Sequence, residues 1–206
     1  MRILLVTLLV ASSLLAQGVR VPGPGGAGIA APTFTIIAHT SAYSLSGFPF
    51  TTPGQDTTGS DICWAAIGTY SDDGSSIAIT DNKSNTWTRV STTYFYGAGN
   101  NAATYYVKAP TVGSNHSITV TGGIGTEVAF VCASGSISTG GADQSSDVRV
   151  TSTASIQGTS VTPSNTNQIV ISAIGTTTYG QTVSIDGGFT ILEQVNTDGN
   201  LGMAFA

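Results

Sequence analysis

With 206 residues the chain is long enough for one domain and its buried core, and only 8% of those residues are charged. A formal net charge of −5 leaves no basic surface for a phosphate backbone, which argues against a nucleic-acid partner. The 40% hydrophobic content argues against disorder, and a remainder rich in Ser, Thr, Asn and Gly suits the outer face of sheets better than helices.

Residues 1–17 have Arg2 as a positive start, an apolar run from Ile3 to Val10, and small residues at Ala11, Ser12, Ser13 and Ala16. This pattern predicts a secretory signal peptide and hence an exported, extracellular protein. The apolar run falls short of the ~20 residues that spanning a bilayer requires, and no later stretch reaches that length, so no membrane span is expected. Cleavage would leave Arg20, Lys83, Arg89, Lys108 and Arg149 against eleven acidic residues. Residues 18–32 (GVRVPGPGGAGIAAP) are Gly, Pro and Ala without periodicity and read as a flexible linker.

The domain is expected over 33–206. Candidate strands are 33–39, 62–70, 76–80, 86–92, 103–108, 117–121, 127–133, 148–152, 168–175, 182–185, 190–194 and a last one from 202. No segment repeats apolar residues at helical spacing, and turn-forming clusters separate the strands at short intervals. The fold class is therefore all-β, an antiparallel β-sandwich of jelly-roll or Ig-like type, with a barrel as the other closure. Segment 74–90 (GSSIAITDNKSNTWTRV) reads as a β-hairpin: Ile77 and Ile79 alternate with Ala78 and Thr80, a turn cluster follows, and β-branched and aromatic residues return.

The two halves repeat. Segment 61–69 (DICWAAIGT) aligns with 168–176 (QIVISAIGT). Ile77, Ala78 and Ile79 then match Val183, Ser184 and Ile185, and Trp87 to Val90 match Phe189 to Leu192. Ala103, Thr104 and Tyr105 match Gly202, Met203 and Ala204. Two pseudo-repeated halves are expected, and because the second lacks counterparts of 117–121 and 127–133, C-terminal strands are expected to be missing.

Asp81, Asn85, Trp87, Thr88, Tyr105, Tyr106 and the run SITVT at 117–121 form a strand, D-x-x-x-N-x-W-T, a strand with Tyr-Tyr and a further strand. This order resembles a largely uncharacterised family of secreted bacterial β-sandwich domains found in surface proteins. The resemblance covers roughly 56–205. It implies a jelly-roll or Ig-like sandwich and brings no catalytic residues.

Asp81 and Asn85 flank a turn and are expected to bond its backbone. The alternative is a calcium site drawing on Asp72, Asp73, Asp81 and Asn85 as oxygen donors, although the DxDxDG pattern fails because Lys83 stands where a third-position ligand belongs. Tyr94, Phe95, Tyr96, Asn100 and Asn101 form the most suggestive loop. Three successive aromatics cannot all face inward, and an exposed ring beside amides is how a sugar is held, with Tyr70 and Tyr179 as neighbours. The bland reading has Phe95 plugging the sandwich end and the tyrosines covering its rim. Trp64 and Trp87 are expected in the core, as bulk.

Catalysis finds little support. His39 and His116 are the only imidazoles, no G-x-S-x-G elbow occurs, His116 reads as a surface turn residue, and Glu127 opens a strand where it is expected to face solvent. Cys63 and Cys132 read either as one disulfide or as two buried thiols, and without C-x-x-C or a Cys/His cluster no zinc or other cofactor is expected. The sequence thus favours a non-catalytic secreted or cell-surface module, structural, adhesive or carbohydrate-binding, with glycans or other extracellular components as partners. The alternative is a polysaccharide-acting hydrolase or lyase on the same scaffold.

Overall fold

The structure, a computed structural model, describes residues 2–9, 34–45, 48–70, 77–90, 100–135, 144–151, 170–176, 184–185, 190–196 and 202–205. Among these, every regular element is a strand: β1 (Arg2–Leu9), β2 (Thr35–Ser44), β3 (Phe50–Thr51), β4 (Ile62–Tyr70), β5 (Ala78–Asp81), β6 (Thr88–Arg89), β7 (Asn100–Lys108), β8 (Ile118–Thr121), β9 (Ile124–Ser134), β10 (Gln144–Thr151), β11 (Val170–Thr176), β12 (Glu193–Asn196) and β13 (Gly202–Phe205). They form a central sheet ordered β2-β9-β4-β7-β6, an outer sheet ordered β10-β1-β11-β13-β12 and a small sheet ordered β3-β8-β5. All pairings are antiparallel, and the architecture is the expected sandwich rather than a closed barrel.

The central sheet is covered on both faces. Cys63, Ala65 and Ile67 of β4, with Phe130 and Cys132 of β9, pack on Ile118 and Val120 of the small sheet. Ile62, Trp64 and Ala66, with Val131 of β9, pack on Ile171 and Ala173 of the outer sheet. A strand buried on both sides needs no polar alternation, which is why 62–67 reads as an unbroken apolar run. Trp64 is fully buried, its ring centroid 6.0 Å from that of Phe34.

Segment 74–90 is not a hairpin. β5 pairs with β8 in the small sheet, while β6 pairs with β7 in the central sheet, so the turn between them carries the chain from one layer to the other. Alternation and turn residues announce strand, turn and strand; they carry no information about which strands are partners.

The repeat is present as topology. β4-β7-β6 in the central sheet and β11-β13-β12 in the outer sheet have the same order. Ile67 pairs with Ala103 as Ile174 pairs with Ala204. The last correspondence is thus two residues off the sequence alignment, which had set Ala103 against Gly202. On the other side, β4 is bordered by β9 and β11 by β1. The apolar run expected to be a leader is here a strand between β10 and β11, with Leu5 opposite both Val148 and Ile174. The linker 18–32 lies outside the described residues.

Candidate functional site

The densest polar chemistry lies at the end of the central sheet where β4 begins. Asp81 closes β5, and its Oδ1 accepts from the backbone N–H groups of Lys83 (3.0 Å) and Asn85 (2.9 Å), fixing the turn as expected. Its Oδ2 accepts from Asn85 Nδ2 (2.8 Å) and Trp87 Nε1 (3.0 Å), and faces His116 Nε2 at 3.2 Å. Burial alone would raise the Asp81 carboxyl, but donation from His116, then from Asn85 and Trp87, holds it well below the usual carboxylate range. Charged at neutral pH, Asp81 has no proton to offer, so Nε2 of His116 carries the hydrogen between them. With N–H donors around both oxygens, the carboxylate has a setting of the wrong polarity for calcium.

The turn is laced to loop 109–117. Asn85 Oδ1 accepts from Thr111 N (2.6 Å), Asn82 Nδ2 donates to Asn115 O (2.6 Å), and Lys83 Nζ donates to Ser114 O (2.8 Å). Ser84 and Asn115 adopt left-handed backbone, with φ of 62° and 55°, at the two bends. This lacing draws His116 inward. The residue expected on the surface is fully buried, edge-on to Phe130 at 5.1 Å, with Nδ1 2.9 Å from Thr57 Oγ1. Its polar neighbours in sequence, Ser114, Asn115 and Ser117, gave no hint of this.

Hydroxyl, imidazole and carboxylate in a row are the parts of a nucleophilic triad. Thr57, His116 and the Asp81 side chain are all shut away from solvent, however, so no substrate reaches them. The row acts as a staple between layers. Beneath it, Cys63 and Cys132, opposite one another on β4 and β9, form a disulfide with Cα atoms 4.1 Å apart. Trp87 packs its ring on Phe130 at 6.2 Å while its N–H holds Asp81, so the position uses the indole as well as bulk.

The proposed sugar-binding residues belong to the opposite end. Tyr70, last in β4, pairs with Asn100, first in β7, and Thr69 pairs with Asn101. The backbone thereby sets Tyr70, Asn100 and Asn101 at one end of the central sheet, where the chain enters β7 from 91–99. Tyr94, Phe95, Tyr96 and Tyr179 lie outside the described residues, as do Asp72 and Asp73.

One further residue sits differently from expectation, and a second imidazole joins the two large sheets. Glu127, expected in solvent, is 1% exposed, because β9 lies between β2 and β4 with both faces covered. His39, 45% exposed, joins Glu193 Oε1 through Nδ1 at 2.6 Å, while Ser41 Oγ donates to Oε2 at 2.7 Å. These contacts clamp edge strand β2 of the central sheet to β12 of the outer sheet. Comparison of the chain with protein-family models, with curated proteins and with solved structures finds no match in any of the three.

Proposed function

We propose that this chain is a non-catalytic, exported β-sandwich module that binds carbohydrate through the end of the central sheet formed by Tyr70, Asn100 and Asn101. The observation that carries the reading is the register that sets Tyr70 opposite Asn100, on one face at the end of the central sheet: an aromatic and an amide are groups that pack on a sugar's C–H face and bond its hydroxyls, with Asn101 next to them on the other face. Four of the described carboxylates support a non-catalytic reading, being engaged in structure: Asp81 in the staple, Glu193 in the clamp, Asp61 on Gly135 N and Asp56 on Thr58. Export rests on the leader-like residues 1–17, and among the described residues no helix is long and apolar enough to cross a membrane.

A glycan-array screen of the full chain beside Tyr70→Ala and Asn100→Ala/Asn101→Ala variants tests the binding site. Signal for one sugar class, lost at least about tenfold in both variants, is the expected result. Equal signal from all three proteins overturns the reading.

A further inference from the structure

The disulfide and the buried imidazole lie side by side. The sulfurs of Cys63 and Cys132 and one ring nitrogen of His116 all fall within 4.8 Å of one another, and all three residues are buried. Two thiolates and an imidazole are the donor set of a soft divalent ion such as zinc, which holds sulfur at about 2.3 Å and nitrogen at about 2.0 Å in a tetrahedron. We propose that the Cys63–Cys132 disulfide is the oxidised form of a metal site, and that the reduced chain binds one zinc-class ion through Cys63, Cys132 and His116.

The surroundings favour this. A tetrahedral centre separates two sulfur ligands by about 3.7 Å, and cross-strand partners whose Cα atoms lie 4.1 Å apart reach that separation by turning side chains, without moving strands. His116 Nε2 keeps its hydrogen bond to Asp81, so Nδ1 provides the lone pair. Thr57 Oγ1, which now faces Nδ1, has Gly113 O at 3.3 Å as an alternative acceptor. The result is a metal-bound imidazole backed by a carboxylate, the support that orients histidine ligands. Phe130 closes one side of the ring, and a water would take the fourth position of the tetrahedron.

The chemistry balances with a dithiol as reductant. It transfers two electrons and two protons to the disulfide, giving two thiols and its own cyclic disulfide. The incoming ion then displaces one proton from each thiol. Below the thiol pKa the apparent affinity should rise about 100-fold per pH unit, one factor of ten per proton.

The experiment titrates cobalt(II) into the full chain, oxidised and dithiol-reduced, and follows the thiolate-to-cobalt charge-transfer band, with far-UV circular dichroism recorded alongside. Expected are one cobalt per reduced chain, displacement by zinc, no band from the oxidised chain, and at least a tenfold loss of affinity with a changed spectrum in His116→Gln. A Cys63→Ser/Cys132→Ser variant should give no band. If reduction unfolds the apo chain, refolding with cobalt should restore both the β signal and the band. A reduced or refolded chain without the band, or a His116→Gln chain indistinguishable from wild type, overturns the proposal.

Discussion

β4 and β11 are the same strand in two settings. Each takes a partner on one side, β7 or β13, with a further strand beyond it, β6 or β12. The fastenings differ. β4 is bound covalently to β9 through Cys63 and covered on both faces, while the residue matching Cys63 in β11 is Val170, and β11 is bordered by β1. The central copy therefore carries the disulfide, the Asp81 staple and the largest buried rings, and the outer copy is held to it by apolar contact and the His39–Ser41–Glu193 clamp. One topology supports unequal stability when its cross-links sit on one copy only.

The sharpest way to break this asymmetry is at Trp64, which faces the outer sheet. Trp64→Ala should cost about 4 kcal/mol in urea unfolding, as large buried rings do, and should loosen the outer sheet first in hydrogen exchange. Equal protection of β4 and β11 in that variant would show that the two copies fail together. The disulfide comes next. It closes a sequence separation of 69 residues, so Cys63→Ala/Cys132→Ala, measured with a chelator present, should lose up to about 4 kcal/mol on chain-entropy grounds.

Asp81→Asn should cost about 2 kcal/mol, because charge-assisted bonds from His116, Trp87 and Asn85 weaken together. Its pH signature has a definite sign. Folding lowers the Asp81 pKa from its ordinary 3.8, so its stabilisation is complete above that value and is lost as pH falls toward the folded pKa. Wild-type stability should drop between about pH 4 and pH 2, and the Asn variant should show a flatter slope. The smallest effect belongs to the clamp. Glu193→Gln should change stability by under about 1 kcal/mol, as partly exposed ion pairs do, with the change confined to β2 and β12.

Much of this arrangement was legible in the sequence, and the failures have physical causes. Apolar runs bounded by turn residues located β4, β7 and β11 because burial on one or both faces leaves a mark on every residue. Partner choice leaves none, so β5 and β6 read as a hairpin although they serve different sheets. The two-residue slip between β7 and β13 escaped notice because a shift by two returns every side chain to the same face, whereas a shift by one would have put Ala204 on the wrong one. His116 was misread because local composition speaks for the loop, not for what the loop folds over. The signal available was the triad of Asp81, Asn85 and Trp87, whose donors and acceptor imply a buried polar cluster in need of another member. Glu127 was misread because a sheet between two others has no solvent side.

The place of β1 bears on the order in which the molecule assembles. Its first contacts in the outer sheet are Arg2 with Thr151 and Leu9 with Val170, residues synthesised long after it. Non-local closures of this kind come late and slowly, whereas β4, β7 and β9 meet over shorter separations. During biosynthesis the central sheet can be complete while β1 still waits for β10 and β11, and removal of the leader-like residues 1–17 would take β1 from between those two strands.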